Sequence, residues 1–190
     1  MLITRPDAYS SGTVTLAAWI QPSSAIVNNG AVWHWFGDSI DVQLSIDSSG
    51  HLNLSSGGSV FTTITGSVNL EDDAWHLVAV RFSLNGTRSV KLWCDDASVG
   101  TSVASSLPDL DGQLVVGNTR GYPTIGKPFV GKIAQIQLVN TSLTDAQLTA
   151  QFKAGRGWDG EALDARVQRF LGYGGLTSSD YAVDSSTVTC

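Results

Sequence analysis

Charged side chains are scarce in this chain, 15% of 190 residues, where an ordinary soluble domain carries about a quarter. Glutamate is scarcer still: only Glu71 and Glu161 occur, so 15 of the 17 acidic residues are aspartate. Asp competes for backbone hydrogen bonds at turns and caps while Glu favours helix, so the acids belong mostly to loops. The net charge of −6 gains nothing from phosphate backbones, which argues against a nucleic-acid partner. No apolar run approaches a membrane span, so no membrane insertion is expected, and the N-terminus lacks the charged and apolar regions of a signal peptide. Cysteine occurs twice and histidine three times, without the close spacing of a metal motif. Cys94 reads as a small apolar residue in a strand, Cys190 is the last residue, and a bridge between them is the less favoured arrangement. His34, His51 and His76 lie far apart, with no Ser or Cys arrangement that suggests a triad.

What the chain has is Gly, Ser, Thr and Val in short alternating runs. At 190 residues it can bury a sizeable single core. The centre is Trp75-His76-Leu77-Val78-Ala79-Val80-Arg81-Phe82 followed by Val90-Lys91-Leu92-Trp93-Cys94. The first run reads as a strand buried over most of its length; in the second, Val90, Leu92 and Cys94 face one way and Lys91 and Trp93 the other. Asn85-Gly86 between them signals a hairpin, because both central positions tolerate positive φ. Earlier, Val14, Leu16 and Ala18 alternate with Thr13, Thr15 and Ala17, predicting a half-buried strand that ends at Pro22. Further strands are expected at 31–36, 40–46, 51–54, 60–64, 113–117 and 129–139. In the last of these Ala134, Ile136 and Leu138 make up the expected core side. Short strands at roughly eight-to-twelve-residue spacing predict an all-β sandwich or barrel.

The period then changes from two to about 3.6. Thr144 can cap a helix running from Asp145 to Lys153, with Leu148 and Phe152 four apart and Gly155 as the stop. A second helix is expected over about 160–171, with Leu163, Val167, Phe170 and Leu171 on one stripe. Residues 173–190 are rich in Gly and Ser, with a short strand expected at 181–183. The chain therefore divides into a β-rich domain over 1–155 and a helical and extended appendix over 156–190.

Several of these pieces occur together in a familiar order: Leu16-Ala17-Ala18-Trp19-Ile20, Trp75-His76-Leu77-Val78-Ala79-Val80, Leu92-Trp93-Cys94-Asp95-Asp96, Phe129-Val130-Gly131-Lys132-Ile133 and Leu143-Thr144-Asp145-Ala146-Gln147-Leu148. As an ordered set over about residues 12–154, they resemble the laminin-G-like, or concanavalin A-like, jelly roll. The resemblance implies a two-sheet antiparallel sandwich. The chain departs from the family pattern at Trp93, Cys94 and Asp96, which stand where Tyr, Val and Gly are usual. In the appendix, Trp158-Asp159-Gly160-Glu161 and Arg166-Val167-Gln168-Arg169-Phe170-Leu171 are similar to a segment of minor tail proteins from phages of actinobacteria. That similarity implies a virion protein assembled in the host cytoplasm among other virion subunits, in an oligomeric assembly.

Function then turns on which side chains are free to do chemistry. Glycosidases need paired carboxylates facing one cleft. Glu71 falls in an expected loop, Glu161 at a helix start, and Asp109 and Asp111 between Pro108 and Gly112, so no catalytic residue is expected. No cofactor is required either, although calcium remains an option: laminin-G-like domains can hold it at a sandwich rim, and it takes six to eight oxygens. Asp72, Asp73, Asp95 and Asp96 are the foremost oxygen candidates, with Asp38, Asp41, Asp109 and Asp111 behind them. Glycan adhesion needs exposed aromatic faces that stack on sugar rings. Trp93 and Tyr122 are the better surface candidates; Trp33 and Trp35 share a face that serves either as platform or as core. Arg156, Arg166 and Arg169, the basic cluster of an acidic chain, are with Tyr181 the candidates for partner docking. The combined expectation is a non-catalytic virion tail protein that also adheres to host-surface glycan, with a free-standing lectin-like module as the alternative.

Overall fold

The computed structural model describes residues 2–4, 12–24, 30–38, 40–104, 107, 109–110, 112–119 and 126–155. Within them the alternating runs become eleven strands: β1 (Leu2–Thr4), β2 (Thr13–Pro22), β3 (Ala31–Phe36), β4 (Asp41–Ile46), β5 (His51–Ser56), β6 (Ile64–Asn69), β7 (His76–Ser83), β8 (Ser89–Cys94), β9 (Ala97–Val103), β10 (Gln113–Val116) and β11 (Gly131–Val139). One helix, α1 (Asp145–Gly155), follows them. The strands form a six-stranded sheet in the order β1-β10-β3-β4-β5-β6 and a five-stranded sheet in the order β11-β2-β7-β8-β9. All pairings within both sheets are antiparallel. This is the jelly-roll sandwich that the ordered motifs imply. The second expected helix (160–171), the expected strand at 181–183, and Asp111, Tyr122, Arg156, Arg166, Arg169, Tyr181 and Cys190 lie outside the described residues.

The core sits between the sheets. Val14, Leu16, Ala18 and Ile20 of β2, with Val78, Val80 and Phe82 of β7, face Trp33, Trp35, Val42 and Leu44 across the gap. Trp33 and Trp35 resolve to core: they are 2% and 1% exposed, and both rings lie against Phe82, at 6.5 and 6.2 Å between centroids. A sugar ring cannot reach either face, so neither is a ligand platform. Full burial of such rings is among the largest single contributions to a sandwich core.

Strand β2 is buried on both sides rather than half-buried, because α1 lies on its outer face. Ala17, Ala79 and Trp93 pack under Leu148, and Trp19 stacks on Phe152 with centroids 6.1 Å apart. Trp93 is therefore 4% exposed and not a surface aromatic. The helix begins as a capping box: the Gln147 amide donates to Thr144 Oγ1 (3.2 Å) and the Thr144 amide to Gln147 Oε1 (2.8 Å). The buried Thr15 fixes the approach to it, donating to the Thr141 carbonyl (2.7 Å) and accepting from the Leu143 amide (3.0 Å). Arg81 donates to the Leu143 carbonyl and pairs with Asp145, which Lys91 also reaches at 3.0 Å. Both cations lie over the Trp93 ring, at 5.9 and 5.5 Å from its centroid.

Other expectations need local correction. In β11 the residues Gln135 and Ile136 together oppose Ala18, a β-bulge between the pairs Ala134–Trp19 and Gln137–Ala17, with Gln135 at φ 50°. The extra residue reverses the alternation in mid-strand: Ile133, Ile136 and Leu138 pack on the core, and Ala134 packs outward with Trp19 and Phe152. In the β7–β8 loop only Gly86 has positive φ (57°). Asn85 instead accepts a hydrogen bond from the Gly12 amide at 2.9 Å. The strand expected at 60–64 begins only at Ile64. Before it, the Phe61 and Thr62 amides donate to the hydroxyls of Ser56 and Ser102 rather than to a ladder.

Candidate functional site

At one end of the sandwich, the loop from Leu70 to Trp75, the end of β2, the β8–β9 turn and the end of α1 surround a cleft of about 540 Å³. Its walls are Trp19, Gln21, Asp72, Asp73, Ala74, Trp75, His76, Asp95, Phe152 and Gly155. Each wall has a local cause. Asp72 folds its own loop, accepting from the Ala74 amide at 2.9 Å. Asp73, at φ 59°, accepts from the amide and hydroxyl of Ser24, and its carbonyl accepts from Gln21 Nε2 at 2.6 Å. These bonds tie the loop to the end of β2. A Cβ at Gly155 would collide with the Trp19 indole, so glycine lets the helix end close against this wall.

His76 is the polar centre of this end. Its Nδ1 lies 3.0 Å from Asp95 Oδ2 and its Nε2 3.0 Å from Asp72 Oδ1. Burial opposes a charge there, but the bonds to Asp95 and Asp72 together outweigh it and raise the imidazole above its ordinary pKa. In its protonated form the ring donates to both carboxylates. Asp72 is held low: burial works against its charge, but the His76 hydrogen bond and the Ala74 amide outweigh that. The Ser24 hydroxyl and amide hold Asp73 low as well. Asp95 also accepts from the Leu77 amide through Oδ1 at 3.0 Å, and its carbonyl takes the Trp93 indole N–H at 2.8 Å. One aspartate thus joins β7, β8 and the turn after it.

Of the expected calcium oxygens, Asp72 and Asp95 meet on His76, Asp73 turns to Ser24, and Asp41 binds His34 Nε2 at 2.8 Å. Asp96 and Asp38 are exposed, and Asp109 pairs with Arg88. The groups come together through histidine rather than as a cage of oxygens. Among the described residues, one cluster places three side-chain ligands of the kinds that hold metals within 4.8 Å of one another: His76, Cys94 and Asp95. Sequence analysis assigned His76 no role and missed its two carboxylates. The four-residue spacing of Asp72 and His76 was the available signal; the approach of Asp95 depends on strand pairing. No helix among the described residues is long and apolar enough to cross a membrane.

A family model described as the concanavalin A-like lectin/glucanases superfamily, of laminin-G type, matches residues 2–149. No curated protein matches the sequence. Among solved structures, the chain is similar to a heptameric SAP-like pentraxin from Limulus polyphemus, at 16% identity and a TM-score of 0.61, covering 78% of this chain and 74% of that one. It is similar also to domains LG4-5 of the mouse laminin alpha1 chain, at 15% identity and a TM-score of 0.57; the match covers 77% of this chain and only 40% of the laminin one. A third is domain 4 of AbnA, an extracellular GH43 arabinanase from Geobacillus stearothermophilus, in complex with arabinotriose. There identity is 18%, the TM-score 0.58, and coverage 74% of this chain and 66% of that one. At such identities these likenesses show the fold, and with the family match over most of its length the chain belongs to the laminin-G-type family of the concanavalin A-like lectin/glucanases superfamily.

Proposed function

We propose that this chain is a non-catalytic glycan-binding domain carried on a phage tail. The observation that carries the glycan part is the cleft itself, where the half-buried Trp75 lies beside Gln21, Asp72 and Asp73. Aromatic faces beside planar hydrogen-bonding groups are the usual lining for sugar rings. A domain of the same fold holds arabinotriose, which makes a short oligosaccharide a reasonable occupant. Hydrolysis would need a carboxylic acid kept protonated beside an ionised one. Here Asp72 and Asp73 are both held low, and Asp72 and Asp95 are engaged by His76, which supports binding without turnover.

The tail part rests on the sequence similarity of residues 158–171, where the appendix would dock to other virion subunits through Arg156, Arg166, Arg169 and Tyr181. Calorimetric titration with a panel of neutral and acidic oligosaccharides tests the first part. One class should bind without release of reducing ends, and Trp75→Ala should weaken it about tenfold, the loss of one stacked ring. Unchanged binding by Trp75→Ala would move the site elsewhere. For the second part, the protein should be present in purified particles, and truncation after Gly155 should leave a folded sandwich that no longer incorporates.

A further inference from the structure

We propose that His76, Cys94 and Asp95 form a binding site for a zinc-class divalent ion at the rim of the sandwich. The three side chains come from adjacent positions of the sheet. His76 opens β7, Cys94 closes β8 opposite Val78, two residues along from His76, and Asp95 begins the turn. Their ligand atoms lie within 4.8 Å of one another, and His76 Nδ1 and Asp95 Oδ2 are already 3.0 Å apart. A tetrahedral zinc ion holds sulfur at about 2.3 Å and nitrogen or oxygen at about 2.0–2.2 Å, so its ligands sit roughly 3.3–3.8 Å from each other. Closing from the present spacing takes a movement on the order of 1 Å, within the reach of side-chain rotation.

Two further observations favour a metal over a chance meeting. The remaining ring nitrogen of His76 faces Asp72 at 3.0 Å. A carboxylate behind a coordinating imidazole fixes its tautomer and direction, an arrangement that recurs around zinc. The side chains of His76 and Asp95 are 10% and 26% exposed and line the cleft, so an ion has a path in and a water can take the fourth position. Thiolate with imidazole selects zinc-class ions and not calcium or magnesium, which prefer oxygen alone. Binding would release the Cys94 thiol proton and the His76 Nδ1 proton to solvent, leave Nε2–H donating to Asp72, and displace water from the ion. Because the ion must displace protons from the thiol and the imidazole, occupancy falls in acid.

The probe is Co²⁺, a spectroscopic substitute for zinc, added to the full-length, tag-free chain after chelation. One equivalent should give thiolate-to-cobalt absorption in the near ultraviolet, and zinc should displace it. Cys94→Val, which keeps an apolar group of similar size in the strand, should abolish the band, and His76→Gln should weaken binding at least tenfold. Asp72→Asn should cost about ten- to a hundredfold in affinity, because it removes the group that orients the ring. Cys190→Ser should leave the band intact. Absence of thiolate absorption in the wild type, its survival in Cys94→Val, or its loss in Cys190→Ser would each overturn the assignment.

Discussion

At the centre of the five-stranded sheet, in β2 and β7, the two faces are both buried, yet they are built differently. The inner face is mainly apolar: Leu16, Val78, Val80 and Leu92 are each 0% exposed and meet the opposite sheet. The outer face is buried only because α1 lies across it, and its cover is part apolar and part ionic. Ala17, Ala79 and Trp93 pack under Leu148, while Arg81, Lys91 and Asp145 close the edge at the start of the helix. Two packed sheets have little freedom to shift, whereas one short helix on a sheet can settle inward. Equal deletions should therefore cost different amounts on the two faces.

Leu92→Ala, on the inner face, should show the larger loss, about 4 kcal/mol in the range of about 2–5 for such cavities, read by denaturant or thermal unfolding. Leu148→Ala removes the same atoms from a residue that is also 0% exposed. It should cost about 2 kcal/mol, because α1 can close part of the void. Equal costs would mean that the helix is held as rigidly as a sheet. A smaller effect belongs to the β11 bulge, where Gln135→Val should cost about 1–2 kcal/mol, since a β-branched residue resists φ near 50°. Gln135→Gly should be close to neutral.

The smallest effect is electrostatic. Hydrogen bonds from Lys91 and then Arg81 hold the Asp145 carboxyl below its ordinary range. A carboxyl depressed in the folded state stabilises it above the unfolded pKa, about 4, and that contribution is lost as pH falls through the folded value. The melting temperature of Asp145→Asn should thus lie slightly below wild type at pH 6 and converge with it in stronger acid. Added salt should narrow the gap as well, because the pair is exposed. A gap that grew in acid would show that the latch works through something other than the ionised carboxylate.

Local regularity made much of the fold readable. Strict alternation marked β4, the apolar phase of Val90, Leu92 and Cys94 marked β8, and Thr144-Asp145-Ala146-Gln147 marked the start of α1. These signals depend on neighbours two to four residues away, which a chain carries in its order. Alternation gives phase, however, and not exposure. Trp93 was correctly placed opposite Leu92, yet whether that side meets water depended on a helix some 50 residues later. The bulge in β11 was equally hidden, because one extra residue is defined only against its partner Ala18.

The candidate site divides in the same way. The scarcity of Glu, the acidic charge and the ordered motifs by themselves determined a β-sandwich of this family and argued against a nucleic-acid partner. Tertiary structure alone decided that Trp33 and Trp35 are core, that Asp72 and Asp95 converge on His76, and that Cys94 stands beside them. The reason is physical: strand pairing brings together residues 19 apart, and the packing of layers determines which face stays wet.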